Sequence, residues 1–345
     1  MQLHRGRFGR DESRPLRSIS MNNSMNNFIK RIFLALSLGY IFFFFSELVF
    51  WSFWRPTNTV GEYALTWLFY SVLAYIFLLI VHEFKVRNLL ALFLAGAAFG
   101  WLGEGVVAMT FFGAEGVLLP FTISWTGLGW HALISVLLGW YYIQKFLAEG
   151  KAIKIISLNA GFGLFWGFWA HTWTLETPPI VTTVSEFAIF AFITTSLFIT
   201  GHILYGRLSA GTFHPSKIEK IFFSLIAALF FVLVTVPAQP ILAPFVLLPL
   251  FLLLYFALRK NKLREAEPGL TRIAVEPIPF KRYLLIFFMP AVATPVYGVL
   301  FPLAPILWPN FVVFSISTFL GFAFLFVSLF HIFYPKNLEG FIPKT

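Results

Sequence analysis

The chain contains no cysteine. That absence excludes disulfides, thiolate metal sites, cysteine nucleophiles and iron–sulfur ligation together, and it removes redox usage as a guide to compartment. Charge is scarce as well. Asp, Glu, Lys and Arg make up 12% of the 345 residues, where a soluble domain carries about 25%. The sequence also lacks a His-Glu-x-x-His motif, any two histidines three or four apart, a Gly-rich nucleotide loop and a Ser-centred nucleophile elbow. These gaps argue against ATP-driven transport by this chain alone. No DNA-binding pattern is present, so nucleic acid is not an expected partner.

What the chain has is apolar and aromatic length. Hydrophobic residues reach 59% and aromatics 20%, with 46 Phe. Runs of about 20 apolar residues recur from Phe28 onward, the length that crosses a bilayer as a helix. The expected fold is therefore all-α: a polytopic integral membrane bundle whose partner is the lipid bilayer. Ten spans are read at 31–54, 63–82, 88–112, 122–147, 153–173, 184–206, 218–236, 241–258, 283–303 and 308–333. Of the 25 Lys and Arg, every one except Arg55 falls on the same side of that alternation. Basic loops stay cytoplasmic, so both termini are expected inside a cell membrane, and the net charge of +10 reflects topology. Charge alone does not separate ten spans from eight, because 218–236 and 241–258 are joined only by Pro237-Ala238-Gln239-Pro240. Their combined length suits a hairpin crossing twice.

Residues 1–27 carry Arg5, Arg7, Arg10, Arg14 and Arg17 and an Asn-rich stretch, and read as a disordered cytoplasmic tail in which Met21 and Met25 are alternative starts. No small-residue cleavage site follows the first apolar run, so no signal peptide is expected. The transmembrane domain covers 28–335, with polar residues concentrated in 31–206 and prolines in 218–333, and 336–345 is a second cytoplasmic tail. The basic linker 259–282 reads as a surface loop near anionic headgroups.

The chemistry centres on Leu89–Leu147, two apolar helices around a Gly/Pro link. An ionisable group inside such a segment is costly, and tends to face protein or water. Glu104 and Glu47 fall in the non-cytoplasmic thirds of their spans, His131 lies below that end of the fourth, and His171 closes the fifth. Gly96, Gly100 and Glu104 recur every fourth residue, as do Gly127, His131, Ser135 and Gly139, and Asn159, Gly163, Gly167 and His171. Such stripes let helices approach closely. They predict spans three, four and five packed together around Glu104, His131 and Asn159. Glu104 is then the proton donor or acceptor, His131 its partner, Asn159 an orienting donor and Glu47 a second acid. Trp169 and Trp173 flank His171, and with the loop residue Glu115 they are candidate substrate contacts at an aromatic rim. A divalent cation held by Glu47, Glu104, His131 and His171 is a further option, though no ligand spacing encodes it.

Three functions fit these residues. The first is an intramembrane enzyme acting on a lipid or isoprenoid substrate at the outer leaflet. The second is a proton- or cation-coupled secondary transporter, which would place its site between two halves at the midplane. The third is a non-catalytic scaffold or assembly factor whose polar residues only hold helices together.

Overall fold

The computed structural model describes residues 14–55, 57–113, 116–176, 179–209, 213–263, 278–304 and 308–334. Among these the structure is helical and has no strands. Ten helices are long and apolar enough to cross a membrane: α1 Asn27–Val49, α2 Val60–Glu83, α3 Leu89–Val107, α4 Phe121–Glu149, α5 Ala152–Leu175, α6 Val184–Leu208, α7 Lys217–Ala238, α8 Ala243–Lys262, α9 Phe280–Leu300 and α10 Phe311–Phe333. The segments 218–236 and 241–258 form two separate helices, α7 and α8, joined by a tight Pro-containing turn, and each is long and apolar enough to cross.

Local signals set the ends. Thr59 with Glu62, Thr183 with Glu186 and Ser216 with Glu219 form reciprocal capping boxes at the starts of α2, α6 and α7. Each satisfies two backbone N–H groups that the first helical turn leaves open. Three ends differ from the sequence expectation. The helix α3 stops at Val107 and not at residue 112, because Met109 adopts a left-handed φ of 60°. The helix of α1 begins at Arg14, so residues 14–27 are helical where a disordered tail was expected. Once a packed span has nucleated a helix, each added residue costs little. At its other end α1 stops at Val49 and not at residue 54, because Ser52 adopts a left-handed φ of 70° and turns the chain. Residues 1–13, the tail 336–345 and linker residues 264–277 lie outside the described residues.

The helices are not equivalent. The apolar windows of α1, α3 and α4 are 72%, 78% and 72% buried, whereas α7 and α8 reach only 11% and 28%. The centre is thus α1, α3 and α4, lined by Phe42, Phe44, Phe45, Phe93 and Trp101. Small residues set the spacing there: a Cβ on Gly100 would collide with the Gly127 carbonyl and the Cβ of His131. The peripheral α7 is tied down by charge at its basic end. Glu219 accepts from Arg31 at 2.7 and 2.6 Å and from Tyr75 and Ser216, and Lys220 pairs with Glu83 at 2.5 Å.

Gly100→Ala should therefore overpack the α3–α4 contact and destabilise by about 1–3 kcal/mol. Gly161→Ala on α5, whose Cβ would meet nothing within 4 Å, should be neutral or stabilise by up to ~1 kcal/mol. Thermal unfolding in detergent compares the two, and equal melting temperatures would contradict this packing.

Candidate functional site

The three central helices share a backbone irregularity. Phe44–Val49 at the end of α1, Leu102–Val107 at the end of α3 and Trp125–Tyr142 within α4 are π-helical. A π turn is rare and re-aims side chains, and it recurs at functional sites. Here the three segments carry Ser46 and Glu47, Glu104, and His131 with Ser135. On α3 the turn is closed by the Ala108 N–H donating to the Gly103 carbonyl at 2.8 Å. Met109 then takes a left-handed φ of 60°, and the chain folds back so that the Thr110 hydroxyl donates to Glu104 Oε2. The freed Val106 carbonyl accepts from the Thr235 hydroxyl of α7 at 2.9 Å.

Glu104 Oε1 lies 2.6 Å from His131 Nε2. The side chain of His131 is 3% exposed and that of Glu104 13%. His131 is held in place from behind: its Nδ1 is 2.8 Å from Ser46 Oγ, which is 3.1 Å from Ser135 Oγ. The rings of Phe99 and Tyr70 flank the imidazole, with centroids at 5.4 and 6.3 Å. The result is a continuous chain of exchangeable protons, Glu104–His131–Ser46–Ser135, running from a partly open carboxyl into the dry core.

Glu47 is a second carboxyl with different partners. Tyr70 OH donates to its Oε1 and the Trp51 indole N–H to its Oε2, both at 2.8 Å. Glu47 and Glu104 both line one cavity of about 310 Å³, bounded by Leu65, Phe69 and Leu73 of α2 and by Gly103, Val107 and Ala108 at the end of α3. Leu65 and Ala108 are exposed, so the cavity opens between α2 and the end of α3.

The structure thus brings Glu104, His131 and Glu47 together and places the other expected residues elsewhere. Asn159 is fully buried, but its amide donates to the Ile155 carbonyl one turn back at 2.8 Å. Its stripe faces α9: a Cβ on Gly163 or Gly167 would meet the Met289 or Ala293 carbonyl. Span five therefore packs on span nine, and Asn159 does not join the Glu104 pair. His171 is buried with Nε2 3.4 Å from the Ala304 carbonyl, beyond α9. Trp169 and Trp173 are not among the cavity-lining residues. They donate to the Phe50 carbonyl at 2.6 and 3.2 Å and fix the turn from which Trp51 reaches Glu47. Glu115 lies outside the described residues. Among the described residues no group of three His, Asp or Glu side chains is arranged to hold a metal, and both His131 nitrogens already have partners. The four-ligand cation shell is not assembled.

Ser46, Tyr70 and Thr110 were not anticipated. The run Phe42-Phe43-Phe44-Phe45-Ser46-Glu47 held the signal for Ser46, a hydroxyl beside an acid in an otherwise apolar stretch. Compared with protein families, curated proteins and solved structures, the chain matches none of them.

Removing one partner of a buried pair strands the other, so Glu104→Gln and His131→Gln should be non-additive. A double-mutant cycle on unfolding is expected to give a coupling of about 0.5–3 kcal/mol. Purely additive losses would mean the two groups do not interact.

Proposed function

We propose that this protein is a multi-pass membrane enzyme that performs acid/base chemistry on a lipid or isoprenoid-type amphiphile drawn from the bilayer. The observation that carries the reading is the Glu104–His131 pair at 2.6 Å, with Glu104 opening onto a cavity that a second carboxyl also lines. General acid/base catalysis needs two titratable groups in contrasting environments, both within reach of one substrate. Glu104 is backed by an imidazole and a relay of hydroxyls, so it can exchange a proton with His131 Nε2. Glu47 is held by two neutral donors, Tyr70 and Trp51. The apolar walls Leu65, Phe69, Leu73 and Val107 suit a hydrocarbon tail, and a volume of about 310 Å³ falls at the small end of ligand sites.

In this reading the Lys- and Arg-bearing ends, including both termini, face the cytoplasm of a cell whose plasma membrane the bundle spans. The acid-bearing cavity then lies toward the opposite leaflet. A carrier would need its polar groups at a midplane cavity between two halves, whereas Glu47 and Glu104 stand at the ends of α1 and α3.

Lipid extraction and profiling of cells carrying Glu104→Gln against wild type tests the proposal. Accumulation of one lipid class and loss of another is expected, with the protein still inserted and thermally stable. An unchanged lipid profile together with an altered proton or cation flux would reject the enzyme in favour of the transporter.

A further inference from the structure

Donors and acceptors around the cavity of the proposed site are unevenly matched. Its lining includes no Lys, Arg or His. Its side-chain donors are Thr66 and Tyr70, and both are committed: Thr66 Oγ1 donates to the Glu62 carbonyl at 2.9 Å and Tyr70 OH to Glu47 at 2.8 Å. On the acceptor side the balance is reversed. An ionised carboxylate offers about four lone-pair positions. The bonds in place use two on Glu47, from Tyr70 and Trp51, and two on Glu104, from His131 and Thr110, with the Thr126 hydroxyl close beside the latter carboxyl. Both carboxyls lining the hollow therefore keep acceptor capacity, and neither side-chain donor of the lining is uncommitted.

A ligand head must complete that count. A phosphate or carboxylate head brings only acceptors and more negative charge, and would meet neither a donor nor a cation. A hydroxyl brings one donor, but its own lone pairs would go unsatisfied. An ammonium brings donors and positive charge and has no acceptor to satisfy. Desolvating a cation is tolerable only beside opposite charge with its hydrogen bonds made, and two carboxyls supply that condition. The hydrocarbon walls and the mouth past exposed Leu65 and Ala108 leave an outlet for a chain.

We infer that the cavity between α2 and the end of α3 receives the protonated amine of a long-chain amphiphile, with Glu47 and Glu104 as its two receptors. This rests on the proposed lateral access of an amphiphile but not on any chemistry following. Polyprenyl phosphates and anionic lipid heads are excluded by the same count.

The test is photo-crosslinking of the full-length protein in lipid nanodiscs with a dodecylamine bearing a diazirine on its chain, adducts being mapped by mass spectrometry. Adducts are expected on the α2 and α3 walls, at Leu65, Phe69, Leu73 or Val107. Unlabelled dodecylamine should compete, and dodecanol and dodecyl phosphate should not. Glu47→Gln removes the charge while its amide oxygen can still accept from Trp51 and its NH2 can donate to the Tyr70 hydroxyl, and it should weaken amine competition about tenfold, the scale of one charge-assisted hydrogen bond. Competition by the alcohol or the phosphate as strong as by the amine would overturn the inference while leaving lateral access intact. Absence of wall adducts from diazirine analogues of all three amphiphiles would overturn both. Amine-selective adducts combined with an unchanged lipid profile in Glu104→Gln would uphold the amine site and remove the catalytic reading.

Discussion

A carboxyl group taken into an apolar bundle has to be met there by something that offsets its lost water. In this protein that constraint falls on Glu104, and His131 answers it. Leaving either partner alone in the core would cost on the order of 3–5 kcal/mol, a large share of the 5–15 kcal/mol that typically separates folded from unfolded chains. Much of the central architecture can be understood as the geometry that lets the two side chains meet. Gly100 brings the α3 backbone against Gly127 and His131. The π turns bring Ser46 and Glu104 onto the same imidazole.

The second carboxyl depends on the first helix ending early. Because Ser52 turns the chain after α1, Trp51 swings back to Glu47, and Trp166, Trp169 and Trp173 each donate to carbonyls of the Phe50–Ser52 turn. Arg55 stacks against the rings of Trp51 and Trp173, at 4.0 and 4.4 Å from their centroids. The indoles that a membrane reading assigns to an interfacial belt are therefore also the scaffold of a loop. Their N–H groups reach protein carbonyls, and this is what Trp requires when buried.

The helical frame was legible because apolar length and basic-loop alternation are global signals that no single contact can disturb. Most helix starts and stops follow from them to within four residues; the exceptions are the start at Arg14, the end at Val49 before left-handed Ser52 and the end at Val107 before left-handed Met109. The Glu104–His131 meeting was legible for a different reason: the stripe Gly96–Gly100–Glu104 is regular up to residue 101, where the helix is still α. The stripe on α4 was less faithful. Its π winding spreads residues four apart around the axis, so Gly127 faces Trp101, His131 faces Glu104, and Gly139 faces Phe45. Asn159 was misplaced because a stripe of small residues says that a helix will be approached closely and does not say by which neighbour. Tyr70 and Thr110 reach the carboxyls through the fold alone, one across from α2 and the other by chain reversal, and neither leaves a periodic trace.

The α7 helix makes its polar contacts with the rest at two separated points. One is the ionic knot of Arg31, Glu219 and Lys220, and the other is the hydroxyl of Thr235 on the Val106 carbonyl. Only 11% of the apolar window of α7 is buried, whereas α8 seats Leu247, Leu254, Ala257 and Leu258 in the core and bonds Asn261 to Asn88, so α7 is the lightly packed member of the pair. Its departure would strand one carbonyl in the turn that aims Glu104. The α7 helix thus carries at one end the hydroxyl that completes the turn beside Glu104, and at the other the ionic anchor to Arg31.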